Sequence, residues 1–179
     1  FLNFNKVLCL SPHPDDTELG MLGTIVKYQD TDFNILVMTK GGAKGFDKTN
    51  EVDRLKEVND CWTYANVSNV QLQFHNGYFE DKKGTPGWIN NLCPALTRAK
   101  PISLIEYNTV STLNNWTPNI FIDIKECYDI KLKCLKKFTT QQDKTYFQEQ
   151  ALKAFHSNFQ CAKKGVHIVE KYKLIEVIQ

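Results

Sequence analysis

Two spacings of apolar residues alternate along the first half of the chain. Short apolar runs at residues 6–10, 33–39 and 70–74 predict buried strands, because runs of this length bounded by turn residues are typical of strands. Residues 17–29 and 51–65 carry apolar side chains at helical spacing, which predicts amphipathic helices. Strands that alternate with helices indicate β-α-β units with right-handed crossovers, and therefore a Rossmann-like layered α/β fold with a mostly parallel sheet.

The second half of the chain continues both patterns without a linker or an internal repeat. A length of 179 residues suits one domain, so we interpret residues 1–179 as a single domain. Helical spacing recurs at residues 86–99, 125–138 and 145–164, and strand-like runs recur at residues 102–108, 119–124 and 166–177.

Polar segments follow each of the first three predicted strands. Residues 11–16 follow the first strand, residues 39–42 the second and residues 75–77 the third. In an open parallel sheet the ligand crevice lies beyond the carboxyl ends of the strands. We therefore expect the active site at this edge of the sheet.

Composition narrows the class of protein. The chain has 22 Lys and Arg against 20 Asp and Glu, a net charge of +2, which argues against a nucleic-acid partner because phosphate binding needs clustered positive charge. No apolar run approaches the ~20 residues of a membrane span, so no transmembrane segment is expected. The six cysteines form no C-x-x-C pair, which favours reduced thiols and a cytoplasmic location. The lysines of residues 131–137 are interpreted as a solvated helix face.

The candidate chemistry of the chain is His13, Asp15 and Asp16, which follow the first strand within four residues. Imidazole and carboxylate together suit zinc or a similar divalent ion. Adjacent carboxylates in a turning segment point in different directions, so one can bind metal while the other faces a water molecule. A metal-bound water beside a carboxylate can hydrolyse an amide or ester. From the spacing alone a second interpretation stays open, in which Asp15 or Asp16 caps the following helix.

The segment SPHPDDTELGMLGTI, residues 11–25, resembles the signature of the LmbE-like, PIG-L family of zinc-dependent N-deacetylases. Only Leu22 departs from that signature, standing where a glycine is usual. Three further segments resemble the family: the second-strand loop at residues 39–42, an arginine that contacts substrate at Arg54, and a strand end at residues 74–79 in which Asn76 replaces the usual acid. The C-terminal third is also similar, so the resemblance covers nearly the whole chain.

The resemblance implies a mechanism and a substrate class. His13 and Asp16 would hold the ion, Zn²⁺ or another divalent metal, and Asp15 would be the catalytic base. Arg54 and Asn76 would bind the substrate, although the local sequence also suits a turn between Asn76 and the glycine after it. The family acts mostly on N-acetylglucosamine conjugates. The implied partner is therefore a small amino-sugar conjugate, and the products are a free amine and acetate.

One part of the family pattern is missing from this sequence. A catalytic zinc ion usually has three protein ligands, and the family takes its third from a downstream H-x-x-H-like segment, which this chain lacks. Pro101 runs directly into Ile102, where the next predicted strand begins. We hypothesise that a segment is omitted between these two residues, and an intact mass of 20.6 kDa would contradict that hypothesis. The alternative is a non-catalytic protein on the same fold that binds a sugar or nucleotide, and the oligomeric state stays open.

Five other residues carry predictions of their own. His75 ends the third strand, where it can approach a metal or bond to backbone. Trp62 lies on an apolar helical stripe and is expected in the core, whereas Trp88 and Trp116 can line a sugar site. Arg54 can contact the substrate or pair with a glutamate of its own helix.

Overall fold

The first sheet is parallel and has three strands in the part of the chain that the structure describes. The computed structural model describes residues 3–41, 51–75, 103–110, 112, 115–158, 161, 165 and 167–176. The strands are β1 (Lys6–Ser11), β2 (Asp32–Val37) and β3 (Val70–Phe74), side by side in that order. They are connected by α1 (Asp16–Lys27) and, from residue 51 onward, by α2 (Glu51–Ala65). Since parallel strands run the same way, the carboxyl ends of all three meet at one edge, as the sequence predicted.

One face of this sheet forms the hydrophobic core with α1 and α2. Alternate residues of β2, namely Phe33, Ile35 and Val37, are buried, as the two-residue period of a strand requires. Leu22 of α1 and Val58 of α2 belong to the same cluster, and both are fully buried. The departure from the family signature at Leu22 therefore places a core side chain against the sheet.

The second sheet of the described residues is antiparallel. Its strands are β4 (Leu104–Tyr107), β5 (Ile120–Asp123) and β6 (Val169–Glu176), and β6 lies between the other two. The prediction of a mostly parallel sheet is therefore only partly confirmed. The last strand of the chain inserts antiparallel between two earlier strands, and its pairing partners lie about 50 to 70 residues away in sequence.

The helices of the second half are shorter than predicted. Residues 125–138 contain the 3₁₀ turn Lys125–Cys127 and the helix α3 (Tyr128–Leu135). The predicted helix at 145–164 is interrupted in the described residues: the 3₁₀ turn Thr145–Phe147 precedes α4 (Glu149–His156), and Ser157 after it forms a β-bridge with Ile168. The predicted helix at 86–99 lies outside the described residues.

Helix α1 packs closely against the second sheet through two glycines. A Cβ atom on Gly23 would lie 2.8 Å from Cδ1 of Ile124, which directly follows β5. A Cβ atom on Gly20 would collide with the ring of Tyr107 and would lie 2.7 Å from the Asn108 carbonyl oxygen. The helix that begins at the candidate site is thus held between the two sheets.

The interpretation of residues 131–137 as a solvated face is wrong for Lys131. Its side chain is completely buried and forms an ion pair with Glu170 of β6. Burial of a lysine requires such a partner, and this partner is 39 residues away in sequence. Separately, none of the helices in the described part of the chain is both long enough and apolar enough to cross a bilayer.

Candidate active site

The candidate site begins where β1 ends in a tight turn. Pro12 and Pro14 cannot continue the strand ladder, so the chain leaves the sheet after Ser11. The Ser11 hydroxyl donates to the His13 carbonyl oxygen at 2.8 Å and accepts the Thr17 backbone N–H at 3.3 Å. The Asp15 backbone N–H also donates to the His13 carbonyl oxygen, at 2.9 Å. These bonds fold the turn back against the first residues of α1.

His13 and Asp16 form a close pair within this turn. Oδ2 of Asp16 accepts the His13 backbone N–H at 2.9 Å and lies 3.1 Å from His13 Nδ1. The His13 side chain is 26% exposed, whereas that of Asp16 is 7% exposed. The two predicted metal ligands are therefore adjacent, and the imidazole is the more accessible of the two.

The pair fits two positions of a zinc site. Two ligands of one tetrahedral zinc ion lie about 3.3 Å apart at ordinary Zn–N and Zn–O distances, close to the observed spacing of the two atoms. No third His, Cys, Asp or Glu side chain joins His13 and Asp16 in a metal-binding group within the described ranges. The structure thus supplies two of the three protein ligands that a catalytic zinc ion usually has.

Asp15 does not act as a helix cap, although it holds the N-cap position of α1. Its side chain makes no capping hydrogen bond, and its Oδ2 instead accepts a hydrogen bond from Nη2 of Arg54 at 3.1 Å. Asp16 is the first residue of α1, and its carboxylate turns back toward His13. The capping interpretation of these two aspartates therefore does not hold, and the two carboxylates point to different partners.

The surroundings of Asp15 favour a carboxylate that accepts protons near neutral pH. Burial, and after it the negative charge of Asp16, raises the pKa of Asp15 to about 6, while the charges of Arg54 and His13 oppose that rise. A general base is most effective when its pKa lies near the working pH. Asp15 has this property as well as its place beside the His13–Asp16 pair.

Arg54 reaches the site from α2. Its side chain is buried, and Nη2 also donates to the Pro14 carbonyl oxygen at 3.3 Å. Gly41, at the end of the segment after β2, adopts a φ of +66°, and a Cβ atom there would lie 2.9 Å from Pro14 Cδ and 3.0 Å from Arg54 Nη1. Only glycine suits this conformation and this close approach. Arg54 thus pairs with Asp15, a partner outside its own helix.

Two buried glutamates near the site were not identified from the sequence. Oε1 of Glu18 accepts the Trp62 indole N–H at 2.5 Å, and burial raises the pKa of Glu18 to about 7. Glu57 lies one turn after Arg54 on α2. It accepts hydrogen bonds from the Thr140 backbone N–H and from the hydroxyls of Thr139 and Thr140, at 2.7 to 2.8 Å. The i, i+3 spacing of Arg54 and Glu57 is visible in the sequence, but the partner of each lies on a distant element.

The other predicted residues have mixed outcomes. Trp62 is buried in the core, as predicted. The Trp116 indole N–H donates to Glu106 Oε2 at 2.8 Å. That Trp116 lines a sugar site stays a prediction. The His75 backbone N–H donates to the Val37 carbonyl oxygen at 3.0 Å and extends the sheet by one residue. Asn76 and Trp88 lie outside the described residues.

A buried aspartate thus lies beside an imidazole–carboxylate pair, at the carboxyl edge of a parallel sheet in a layered α/β fold. The family model for the GlcNAc-PI de-N-acetylases, PIG-L, matches residues 8–122, which is more than half of the chain. The chain belongs to the PIG-L family. No curated protein matches the sequence significantly.

Solved structures share this fold at low sequence identity. The N,N'-diacetylchitobiose deacetylase from Pyrococcus horikoshii, complexed with its inhibitor MPG, superposes with a TM-score of 0.72 at 19% identity, over 98% of this chain and 85% of that one. GalB, the 4-carboxy-2-hydroxymuconate hydratase from Pseudomonas putida KT2440, gives 0.71 at 10% identity, over 97% of both chains. The zinc-inhibited form of teicoplanin deacetylase Orf2 gives 0.60 at 10% identity, over 93% of this chain and 96% of that one.

These likenesses confirm the layered α/β fold. Two of the three proteins are deacetylases and one is a hydratase, so the fold by itself does not decide the reaction.

Proposed function

We propose that this protein is a metal-dependent N-deacetylase that removes the acetyl group from an N-acetylglucosamine-type conjugate. The observation that carries the proposal is the placement of Asp15, a buried carboxylate held by Arg54, directly beside the His13–Asp16 pair. Membership of the GlcNAc-PI de-N-acetylase family supports the substrate class. The solved diacetylchitobiose and teicoplanin deacetylases support the same class through their fold.

His13 and Asp16 would hold the ion, most simply Zn²⁺. When bound there, such an ion would polarise the amide carbonyl and acidify a water molecule. The spacing of His13 Nδ1 and Asp16 Oδ2 supports this assignment, as do the partial exposure of the His13 ring and the donor types of both residues.

Asp15 would carry the proton in this reaction. Arg54 occupies Oδ2, so Oδ1 is the atom that takes a proton from water as the new C–O bond forms. The same carboxyl group then gives the proton to the amine nitrogen as the C–N bond breaks, which yields acetate and a free amino sugar. A pKa of about 6 suits both steps, because the group can accept a proton and release it again near neutral pH.

Arg54 has two compatible roles in this proposal. Its Nη2 contact keeps the Asp15 carboxylate ionised and oriented, which is the role that the geometry supports. Contact with the substrate, from Arg54 and from Asn76, remains a prediction from the family resemblance.

The second candidate is a sugar- or nucleotide-binding protein without turnover. Two observations favour it: the described residues supply only two metal ligands, and the sequence has no H-x-x-H segment. A protein of this kind would bind an N-acetylated sugar at the same strand edge and leave the amide intact.

Acetate release separates the two candidates. Purified protein is supplied with Zn²⁺, its metal content is measured by elemental analysis, and acetate is assayed with N-acetylglucosaminyl-phosphatidylinositol and N,N'-diacetylchitobiose as substrates. We expect bound zinc and acetate release from at least one substrate. Sugar binding without acetate release, in protein that contains zinc, would favour the binding protein.

The matched control is Asp15→Asn, which keeps the size and polarity of the side chain. We expect this variant to bind zinc about as tightly as the wild type and to lose about 10²–10⁴-fold in turnover, the usual contribution of a general base. Full activity of Asp15→Asn would exclude the base role.

A further inference from the structure

A buried ion pair that the proposed reaction does not use lies behind the candidate site. Lys131 of α3 and Glu170 of β6 are both completely buried, with Nζ and Oε1 2.5 Å apart. Buried ion pairs add little net stability, because the loss of hydration offsets most of their attraction. Their presence therefore calls for a role beyond holding the core together.

The Glu170 carboxylate binds the backbone of α1 in the middle of the helix. It accepts the backbone N–H of Gly23 at 2.8 Å and that of Thr24 at 2.7 Å. In a regular helix these two groups donate to the carbonyl oxygens four residues earlier. The Tyr172 hydroxyl donates at 3.1 Å to Oε2 of Glu170, the oxygen that accepts the Thr24 N–H, and so helps to orient the carboxylate.

The Lys131 ammonium, which pairs with this carboxylate, also binds the backbone of α1. It donates to the carbonyl oxygen of Leu19 at 2.7 Å, the acceptor that the Gly23 N–H would use in a regular helix. The N–H of the same residue, Leu19, donates to the Asp15 carbonyl oxygen at 2.8 Å. Leu19 therefore connects the buried ammonium to the backbone of the proposed base.

Lys131 anchors the first turn of α1 through this connection. That turn carries Asp15 at the N-cap position and Asp16 as its first helical residue. Small shifts of ligands or bases in an active site are costly, and loss of a supporting hydrogen bond around a metal ligand typically lowers affinity or activity 10- to 100-fold.

We propose that Lys131 and Glu170 are positioning residues that fix the first turn of α1, and with it the relative placement of Asp15 and Asp16. This inference rests on the proposed deacetylase function. It predicts that the pair matters for metal affinity and turnover and not only for folding.

The test compares Lys131→Met, Glu170→Gln and the double variant Lys131→Met/Glu170→Met. The double variant leaves no unpaired buried charge, so we expect it to be less destabilised than either single variant. The controls are Lys133→Met in α3 and Glu126→Gln in the 3₁₀ turn before it. Each removes one charge from an exposed side chain. Zn²⁺ affinity is measured by calorimetry, folding by circular dichroism, and kcat and KM by acetate release from the best substrate found above.

We expect folded variants of the pair to bind Zn²⁺ about 10-fold more weakly, or to lose about 10-fold in kcat while KM changes less than about 2-fold. The two exposed controls should match the wild type. If the double variant folds and keeps the zinc affinity and kcat of the wild type, the positioning role is overturned and the proposed function stays intact. Wild-type protein that neither binds Zn²⁺ nor releases acetate would overturn the proposed function and this inference together.

Discussion

Replacing Arg54 by glutamine tests how the protein keeps a buried carboxylate charged. The side chains of Arg54 and Asp15 are only 5% and 7% exposed, and their contact is 3.1 Å long. In the wild type, the pKa of Asp15 is about 6, against ~3.9 in an unfolded chain. Because the native state holds the proton more tightly, stability falls as pH rises from about 4 to about 6 and is then level with respect to this group.

Without the guanidinium, the pKa of Asp15 should rise above 6, and the loss of stability should continue above pH 6. The difference in unfolding free energy between wild type and Arg54→Gln should therefore grow by about 1.4 kcal/mol per pH unit above pH 6, until the pKa of the variant is reached. Urea unfolding of both proteins from pH 5 to pH 8, with a chelator present, measures this slope.

The matched control is Lys56→Gln, on the same helix. Lys56 is 70% exposed and pairs with Asp60 at the surface, so its loss should change stability by less than about 1 kcal/mol and without a marked pH slope. If the stability difference between wild type and Arg54→Gln is independent of pH, Arg54 does not hold the charge of Asp15 and the reasoning is refuted.

Three further predictions concern other parts of the protein. Nδ1 of the buried His156 ring lies 3.1 Å from the Val169 carbonyl oxygen, and burial lowers the pKa of His156 well below 6.5, so only the unfolded chain takes up a proton there. From pH 7.5 to pH 5.5 the wild type should therefore lose about 1.4 kcal/mol of unfolding free energy through this group. Urea titrations of His156→Gln should show a correspondingly smaller loss. Gly23→Ala should lower stability by about 1–3 kcal/mol through collision with Ile124, and an unchanged melting temperature would contradict the close packing of α1. Zn²⁺ at 100 times its dissociation constant should stabilise the wild type by about 2.7 kcal/mol in a thermal shift, and the same addition to His13→Ala should give no such shift.

Local pattern predicted the first half of the fold well. The predicted bounds 51–65 and 70–74 coincide with α2 and β3, because each has a clear period over its whole length. The antiparallel second sheet was not predicted, since its pairing depends on where β6 meets β4 and β5 in space. The expected helix at 145–164 is confirmed only over Glu149–His156, since apolar residues at helical spacing also suit a 3₁₀ turn before a short helix and Ser157 pairs with a distant residue, Ile168.

The candidate site was predictable to the extent that it is local. His13, Asp15 and Asp16 are close in sequence, so a single turn brings them together. The partner of Asp15 comes from α2, and the ion pair behind the site joins α3 to β6. No spacing in the sequence indicates contacts of this range, so the local pattern predicts an exposed Lys131 where the structure has a buried one.

The central claim is that one ion binds between His13 and Asp16 while Asp15 stays off the metal. Anomalous diffraction at the zinc edge, from crystals grown with Zn²⁺, tests it most directly. We expect a peak about 2.0–2.2 Å from both His13 Nδ1 and an Asp16 carboxylate oxygen, with the Asp15 carboxylate still bound to Arg54. A zinc-replete crystal without a peak there, or with Asp15 as a ligand, would contradict the account.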